Sequence, residues 1–243
     1  MISQDYTGQT VFITGGASGI GLAQVKTYLE MGATVWVLDQ QAVPLEHPRL
    51  TAYKVDLADA DAITNFIEQT DLSKIDVFLS TAGILDAYQP ALATDYPTIQ
   101  HVMQVDLMAV VQLTLAILPN MVQCQHGTIV YMASIASQVA GGGGAAYTMA
   151  KHGLLGWMKQ LALDYAPSQI HINAIAPGAI KTPMNQADFE GDGAMGKSVA
   201  EQTPVKRWAS AQEVADATVY LTSPEARYVQ GQLLVIDGGW TIQ

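Results

Sequence analysis

The sequence predicts a single doubly wound α/β domain built on a seven-stranded parallel sheet. Three observations predict it. Short apolar runs rich in β-branched residues alternate with longer helical patterns along all 243 residues. A glycine-rich turn follows the first of these runs and opens a helix. The residues with chemical potential fall at or just beyond strand ends, the edge at which such sheets bind ligands. The length suits one domain, 1–243, and no repeat or low-complexity linker divides it.

Composition narrows the class. Charged residues make up 14% and apolar ones 49%, which suits a folded chain with a sizeable core. The net charge of -11 and the lack of a basic cluster argue against nucleic-acid binding. The one cysteine, Cys124, rules out an internal disulfide and a multi-cysteine metal site, and no metal is expected. The opening MISQDYTGQT lacks the basic stretch and apolar core of a signal peptide. Leu107 to Leu118, the most apolar helical segment, is interrupted by Gln112 and is too short to span a bilayer. These features predict a soluble, cytoplasmic protein without membrane or nucleic-acid partners.

Taken in order, Thr10 to Thr14 (TVFIT) reads as a buried strand. Gly15-Gly16-Ala17-Ser18-Gly19-Ile20-Gly21 follows, then a helix from Leu22 to Met31 closed by Gly32. Strand, glycine turn and helix start is the arrangement that sets a pyrophosphate over backbone N–H groups. The second strand, Thr34 to Leu38, ends in Asp39, 18 residues beyond Gly21. At that distance an acidic residue meets an adenosine ribose in dinucleotide folds, although an acidic residue opening a loop is also common. Gln40 to Arg49, with Pro44 and Pro48, replaces a full crossover helix by a loop.

Leu50 to Val55 is the third strand and ends at Asp56; Ala58 to Thr70 is an amphipathic helix with Asp59 as N-cap. Ile75 to Leu79 is the fourth strand and runs into Ser80-Thr81-Ala82-Gly83, small residues that let a ligand approach the backbone. A short helix starts over Asp95 to His101, and a long apolar one covers Val105 to Val122, broken near Pro119. Gly127 to Ala133 is the fifth strand, ending at Ser134; Tyr147 to Tyr165 is a helix; Ile170 to Ala176 is the sixth strand, turned by Pro177-Gly178. The segment at about 184–205 is polar and breaks the pattern, as a mobile lid over a site would. Ala211 to Thr222 is a helix capped by Ser210, and Gln232 to Ile236 is the seventh strand.

The chemistry centres on Tyr147-Thr148-Met149-Ala150-Lys151. Residues four apart share one helix face, so Tyr147 and Lys151 point the same way. A phenol, titrating near pH ~10, is a poor acid or base at neutral pH, and an ammonium close by favours the phenolate. Tyr-x-x-x-Lys is therefore a compact acid/base device. On its own it is a weak signal that chance placement on a helix surface also produces.

Together, Thr14-Gly15-x-x-x-Gly19-Ile20-Gly21, Asp56, Ala82-Gly83, Ser134, Tyr147-x-x-x-Lys151, Pro177-Gly178 and Asp237-Gly238-Gly239 resemble the short-chain dehydrogenase/reductase family over nearly the whole chain. Within it, the tail TPVKRWASAQEVADATVYLTSPEARYVQGQLLVIDGG is similar to that of bacterial 3-oxoacyl-[acyl-carrier-protein] reductases. The resemblance implies a Rossmann-type domain and hydride transfer between a nicotinamide and a carbonyl or secondary alcohol carbon. It implies that Tyr147 moves the proton, Lys151 assists it and holds the nicotinamide ribose, and Ser134 polarises the substrate oxygen. It implies cofactor contacts from Gly15, Ser18, Gly19, Ile20, Gly21, Asp39, Asp56, Leu57, Ala82, Gly83, Tyr147 and Lys151. Pro177, Gly178, Ile180 and Thr182 would line the nicotinamide end. A homotetramer built on the two long helices is implied as well.

Two departures from the family pattern stand out. Asp106 takes the place of the usual asparagine of a proton relay to the lysine, and is counted with the catalytic residues. Ser80-Thr81-Ala82-Gly83 replaces Asn-Asn-Ala-Gly and loses an amide that braces the sheet. Asp39, with no arginine in the glycine turn, predicts NAD(H) over NADP(H). For the substrate, a chain at -11 matches poorly with the phosphates of an acyl carrier protein or coenzyme A thioester. Lys206 and Arg207 could offset this as a local patch. A small polyol, hydroxyketone or cyclic diol is the alternative substrate, and a non-catalytic dinucleotide sensor a third reading.

Overall fold

A computed structural model describes residues 4–243; of the N-terminal decapeptide, residues 1–3 lie outside the described residues. The seven strands are β1 (Thr10–Thr14), β2 (Thr34–Asp39), β3 (Leu50–Lys54), β4 (Val77–Ser80), β5 (Gly127–Met132), β6 (Ile170–Pro177) and β9 (Leu233–Ile236). They form one parallel sheet in the order β3-β2-β1-β4-β5-β6-β9. The chain winds outward from β1 in one direction, then restarts at β4 and winds in the other. A crevice therefore opens beyond the C-terminal ends of β1 and β4, where the two halves part.

Strand alternation sends side chains to opposite faces, and both faces are covered. Phe12, Leu38, Phe78 and Tyr131 pack on one side with Phe66 of α2 (Ala60–Gln69), Leu113 of α4 (Ala109–Cys124) and Met158 of α5 (Ala145–Tyr165). On the other side Ile13, Val35 and Leu79 meet Val25 and Tyr28 of α1 (Gly19–Glu30) and Val214 and Val219 of α7 (Ala211–Thr222). The predicted strands, Gly32 beyond the end of α1 and the helix-free β2–β3 connection all appear. Asp59 caps α2 by accepting the N–H groups of Asp61 and Ala62.

Two stretches differ from expectation. The helices expected at Asp95–His101 and Val105–Val122 are one continuous run, Tyr96–Cys124, long and apolar enough to cross a membrane by length and composition. It consists of α3 (Tyr96–Met103), a π-turn (Gln104–Met108) and α4. Pro119 lies inside α4 without breaking it. Pro119 and Leu115, whose carbonyl loses its donor, are both exposed, so water can satisfy that carbonyl. The opposite side of the run buries Val102, Ala109, Leu113, Ile117 and Met121, which is the placement of a core helix.

The second stretch is the expected irregular lid. It holds a 3₁₀ segment, Pro183–Phe189, and a nine-residue helix, α6 (Ala194–Gln202). Only Gly196 of α6 is buried, so the sequence carries no apolar stripe to announce a helix. Behind it, β7 (Ile180–Lys181) pairs with β8 (Ala209–Ser210). The Trp208 indole N–H donates to the Gly196 carbonyl at 2.8 Å, and its ring lies 4.9 Å from that of Phe189.

Candidate active site

The crevice is a cleft of about 250 Å³. Its lining includes eleven of the residues expected to hold the cofactor: Gly15, Ser18, Gly19, Ile20, Gly21, Asp39, Asp56, Leu57, Ala82, Gly83 and Thr182. The glycines are sterically required. A Cβ at Gly21 would lie 2.1 Å from the Gly15 carbonyl oxygen, and one at Gly15 2.7 Å from the Ala82 backbone. Ser18 precedes α1 without a side-chain cap, so the first N–H groups of α1 are left to a ligand. This bare helix start beside a glycine cradle fits the pyrophosphate of a dinucleotide.

Asp39 stands at the end of β2. Its carboxylate accepts the N–H of Ala17 and that of Gln41, each at 2.9 Å, which ties the glycine turn to the strand end. Gln40 and Gln41 also line the cleft, and no lysine or arginine does so among the described residues. Pro177 and Gly178 lie at the end of β6 and Ile180 in the core beneath; none of the three is among the cleft-lining residues. A Cβ at Gly178 would meet Asp237 at 2.8 Å, so that glycine serves a close approach between β6 and the segment after β9. The Thr182 hydroxyl is already engaged, 2.8 Å from Asn185 Oδ1.

Tyr147 and Lys151 sit one turn apart on α5, both buried, with the Lys151 ammonium 5.4 Å from the Tyr147 ring centroid. Lys151 Nζ also donates to the Met132 carbonyl at the end of β5, 3.1 Å away. Two residues on, the Ser134 hydroxyl accepts the Ala136 N–H at 3.1 Å within a capping box that it shares with Ser137. The serine thus does cap a turn, and in doing so keeps its own O–H free to donate. Among the described residues the Tyr147 hydroxyl has no hydrogen-bond partner.

Asp106 is the departure with the clearest structural consequence. It lies in the π-turn, fully buried, with Oδ2 3.1 Å from Lys151 Nζ and Oδ1 accepting the Ile84 N–H at 2.8 Å. The Oδ2 contact is an ion pair by distance but is misaligned for a hydrogen bond, so Oδ2 has no hydrogen-bond partner among the described residues. Burial pushes the Asp106 carboxyl above its usual range, opposed by the Lys151 charge. Burial also disfavours the Lys151 ammonium, but the attraction of Asp106, joined by Tyr147, outweighs it and raises the lysine. The pair thus holds Lys151 charged. Gly83 borders it: a Cβ there would come within 2.9 Å of Asp106 Oδ2.

The other departure is partly made good. Ser80 is buried and its hydroxyl has no partner among the described residues. Thr81, however, donates to Gln24 Oε1 at 2.7 Å, and Gln24 donates to Thr218, which braces the strand end to α1 and α7. The Thr14 hydroxyl accepts the N–H groups of Thr81 and Ala82. The expected Lys206–Arg207 patch is not available to a ligand as a pair of free charges. Arg207 is bound to Glu213 through two nitrogens, at 3.0 and 2.7 Å, and holds that carboxyl down to about 2.

A family model described as enoyl-(acyl carrier protein) reductase matches residues 15–241. The 2-(R)-hydroxypropyl-CoM dehydrogenase of Xanthobacter autotrophicus is 35% identical, over 96% of this chain and 98% of that protein. This chain belongs to the short-chain dehydrogenase/reductase family. Another member, 3beta-hydroxysteroid dehydrogenase 2 of Eggerthella lenta, is 32% identical over 96% of this chain and 95% of its own. Among solved members, a 4-hydroxyisoleucine dehydrogenase complexed with NADH superposes with a TM-score of 0.91 at 31% identity, covering 97% of this chain and 99% of that one. As a short-chain dehydrogenase/reductase, the protein is a nicotinamide-dependent oxidoreductase acting on CH–OH groups. Sequence reasoning named Thr14 within the glycine motif without its acceptor role, and missed Gln24 and Asp86, the latter accepting from Gly144 and Tyr147; the partners of all three are distant in sequence.

Proposed function

We propose that the protein is an NAD(H)-preferring dehydrogenase/reductase that interconverts a ketone and a secondary alcohol on a small substrate without phosphate. The bound nicotinamide supplies or accepts the hydride; the chain's residues handle position and protons. Ser134 donates its free O–H to the substrate oxygen and polarises the carbonyl. Tyr147 delivers the proton to the nascent alkoxide, or removes it in the reverse direction. Lys151, kept charged by Asp106, balances negative charge at the phenol oxygen and reaches the nicotinamide ribose. Pro177, Gly178 and Ile180 lie outside the lining of the cleft and are assigned to the nicotinamide end on the family pattern alone, and the segment at about 184–205 acts as the lid. The assembly is a homotetramer built on the run Tyr96–Cys124 and on α5, whose outward Met108, Leu115 and Met149 are exposed apolar residues a second copy would cover. The location is cytoplasmic, consistent with a lone, exposed thiol.

The observation that carries the reading is the Tyr147–Lys151–Asp106 group standing beside a cleft whose ribose end is marked by Asp39 and no cation. A 2′-phosphate would bring close to two negative charges against that carboxylate. At ~4 Å and an effective dielectric of ~20 each unit pair costs ~4 kcal/mol, and solvent lowers this to ~2–4 kcal/mol, or roughly 30- to 1000-fold. The test is kcat/KM for NADH and NADPH on one ketone, chosen from a panel that includes a neutral hydroxyketone, a cyclic dione and an acetoacetyl thioester. Wild type should favour NADH, and Asp39→Ala should narrow the gap. Equal use of the two cofactors would remove the role of Asp39, and NADH binding without turnover of any ketone would favour the sensor reading. A 3-oxoacyl thioester, the first reading from the sequence, becomes the second; the C-terminal sequence favours it, and the description of the matching family supports an acyl carrier but names an enoyl group.

A further inference from the structure

We propose that Asp86 is a positioning residue for Tyr147, a remote cap that fixes where α5 begins. This rests on the reading of Tyr147 as the proton-transfer group. The N-cap of α5 is Gly144, which has no side chain to accept the first free N–H groups of the helix. Asp86 supplies the acceptors from the loop beyond β4. Its Oδ1 accepts the N–H of Gly144 at 2.7 Å, and its Oδ2 that of Tyr147 at 3.0 Å. These are the N-cap and N3 donors, the two that a capping box satisfies with two local side chains. Here one carboxylate, 58 and 61 positions away in sequence, takes both. It also places an acidic group at a helix N-terminus, where the helix dipole favours it.

Three features mark the arrangement as built. Asp86 is buried, with 3% exposure. A Cβ at Gly144 would lie 2.5 Å from both carboxylate oxygens, so only glycine leaves room for the contact. Ala87 and Tyr88, directly after Asp86, have φ of +57° and +55°. Two consecutive non-glycine residues in the left-handed region are strained, and such strain persists where surrounding contacts hold it. The second hydrogen bond grips the backbone of Tyr147 itself, so the phenol is aimed from its own N–H. Proton transfer depends steeply on such placement; a shift of ~1 Å can cost about 10²-fold.

The test begins with Asp86→Asn, which keeps one acceptor oxygen and turns an amide NH₂ toward the other N–H. The expected result is a kcat fall of about 10- to 100-fold, with NADH affinity by fluorescence titration changed by less than roughly twofold. Gly144→Ala disturbs the contact from the other side and should give the same split; it carries the test alone if Asp86→Asn does not fold. The deciding measurement is Asp86→Asn in a Tyr147→Phe background, followed as single turnovers with enzyme in excess. If Asp86 acts through the Tyr147 hydroxyl, it costs little more once that hydroxyl is gone. Additive costs, or unchanged kcat in both single variants, would overturn the proposal. A Tyr147→Phe enzyme with near-normal kcat would instead overturn the reading of Tyr147 on which it rests.

Discussion

A buried carboxylate 3.1 Å from a buried ammonium is expensive for each ion alone, and losing one partner of such a pair typically costs about 3–5 kcal/mol. Asp106→Asn tests what the pair does. The amide can still accept from Ile84, and Lys151 keeps the Met132 carbonyl, so turnover near neutral pH should persist within about tenfold. Lys151 loses the attraction that raises it, leaving burial to act more freely, so the alkaline limb of the kcat profile should move to lower pH. The sign follows from the raised lysine: its stabilising contribution is present below its ordinary value and is lost as pH rises through the folded one. An unmoved alkaline limb would show that Lys151 does not depend on Asp106. Tyr147→Phe should lower kcat by roughly 10²–10⁴-fold with NADH binding nearly intact; retention of more than about a tenth of kcat would exclude the phenol as proton donor. Tyr147, Lys151 and Asp39 were legible because their signals are local: a four-residue helical spacing and a strand end. Asp86 was not, because a contact across 58 residues leaves no periodicity to read.

Helix ends follow the same division. The start of α7 was readable from Ser210, and the structure completes a capping box in which Ser210 accepts the Glu213 N–H and Glu213 accepts that of Ser210. Arg207 and the Ser210 N–H hold the Glu213 carboxyl down to about 2 from an ordinary value of 4.5. A lowered carboxyl stabilises above its unfolded value and loses that contribution as pH falls through the folded one. Wild type should therefore lose Tm relative to Glu213→Gln as pH drops from about 4.5 toward 2. Salt should shrink the difference, because the Arg207–Glu213 pair is exposed. Parallel Tm curves over that range would show that the pair does not stabilise α7. The start of α5, by contrast, has no local cap to read, and α6 has no apolar stripe. The run Tyr96–Cys124 was divided in the sequence between His101 and Val105, where the structure continues the helix through the π-turn Gln104–Met108. The further break expected near Pro119 does not occur, because its exposed position lets water satisfy the Leu115 carbonyl.

At the scale of the whole molecule, the winding reversal between β1 and β4 sets the cleft and the acidic balance sets what approaches it. The alternation of strands and helices carried the seven-stranded, parallel, doubly wound class. The strand order and the separate β7–β8 pair were not legible, because pairing partners distant in the chain leave no local pattern. The charge carries a different prediction. A net charge of -11 repels anionic ligands at long range, and the pairing of Arg207 with Glu213 removes one of the few cations that could guide them locally. With NADH saturating, kcat/KM for acetoacetyl-coenzyme A should therefore rise as ionic strength goes from ~0.01 to ~0.15 M, over which the Debye length falls from ~30 to ~8 Å. A neutral hydroxyketone measured in parallel should show little change, which separates substrate repulsion from any effect of salt on the enzyme. A thioester kcat/KM that falls with added salt would mean that a cationic path leads to the site. That outcome would move the balance toward the acyl-thioester reading, since attraction of phosphates is what such a substrate requires and what the charge distribution of this chain otherwise denies it.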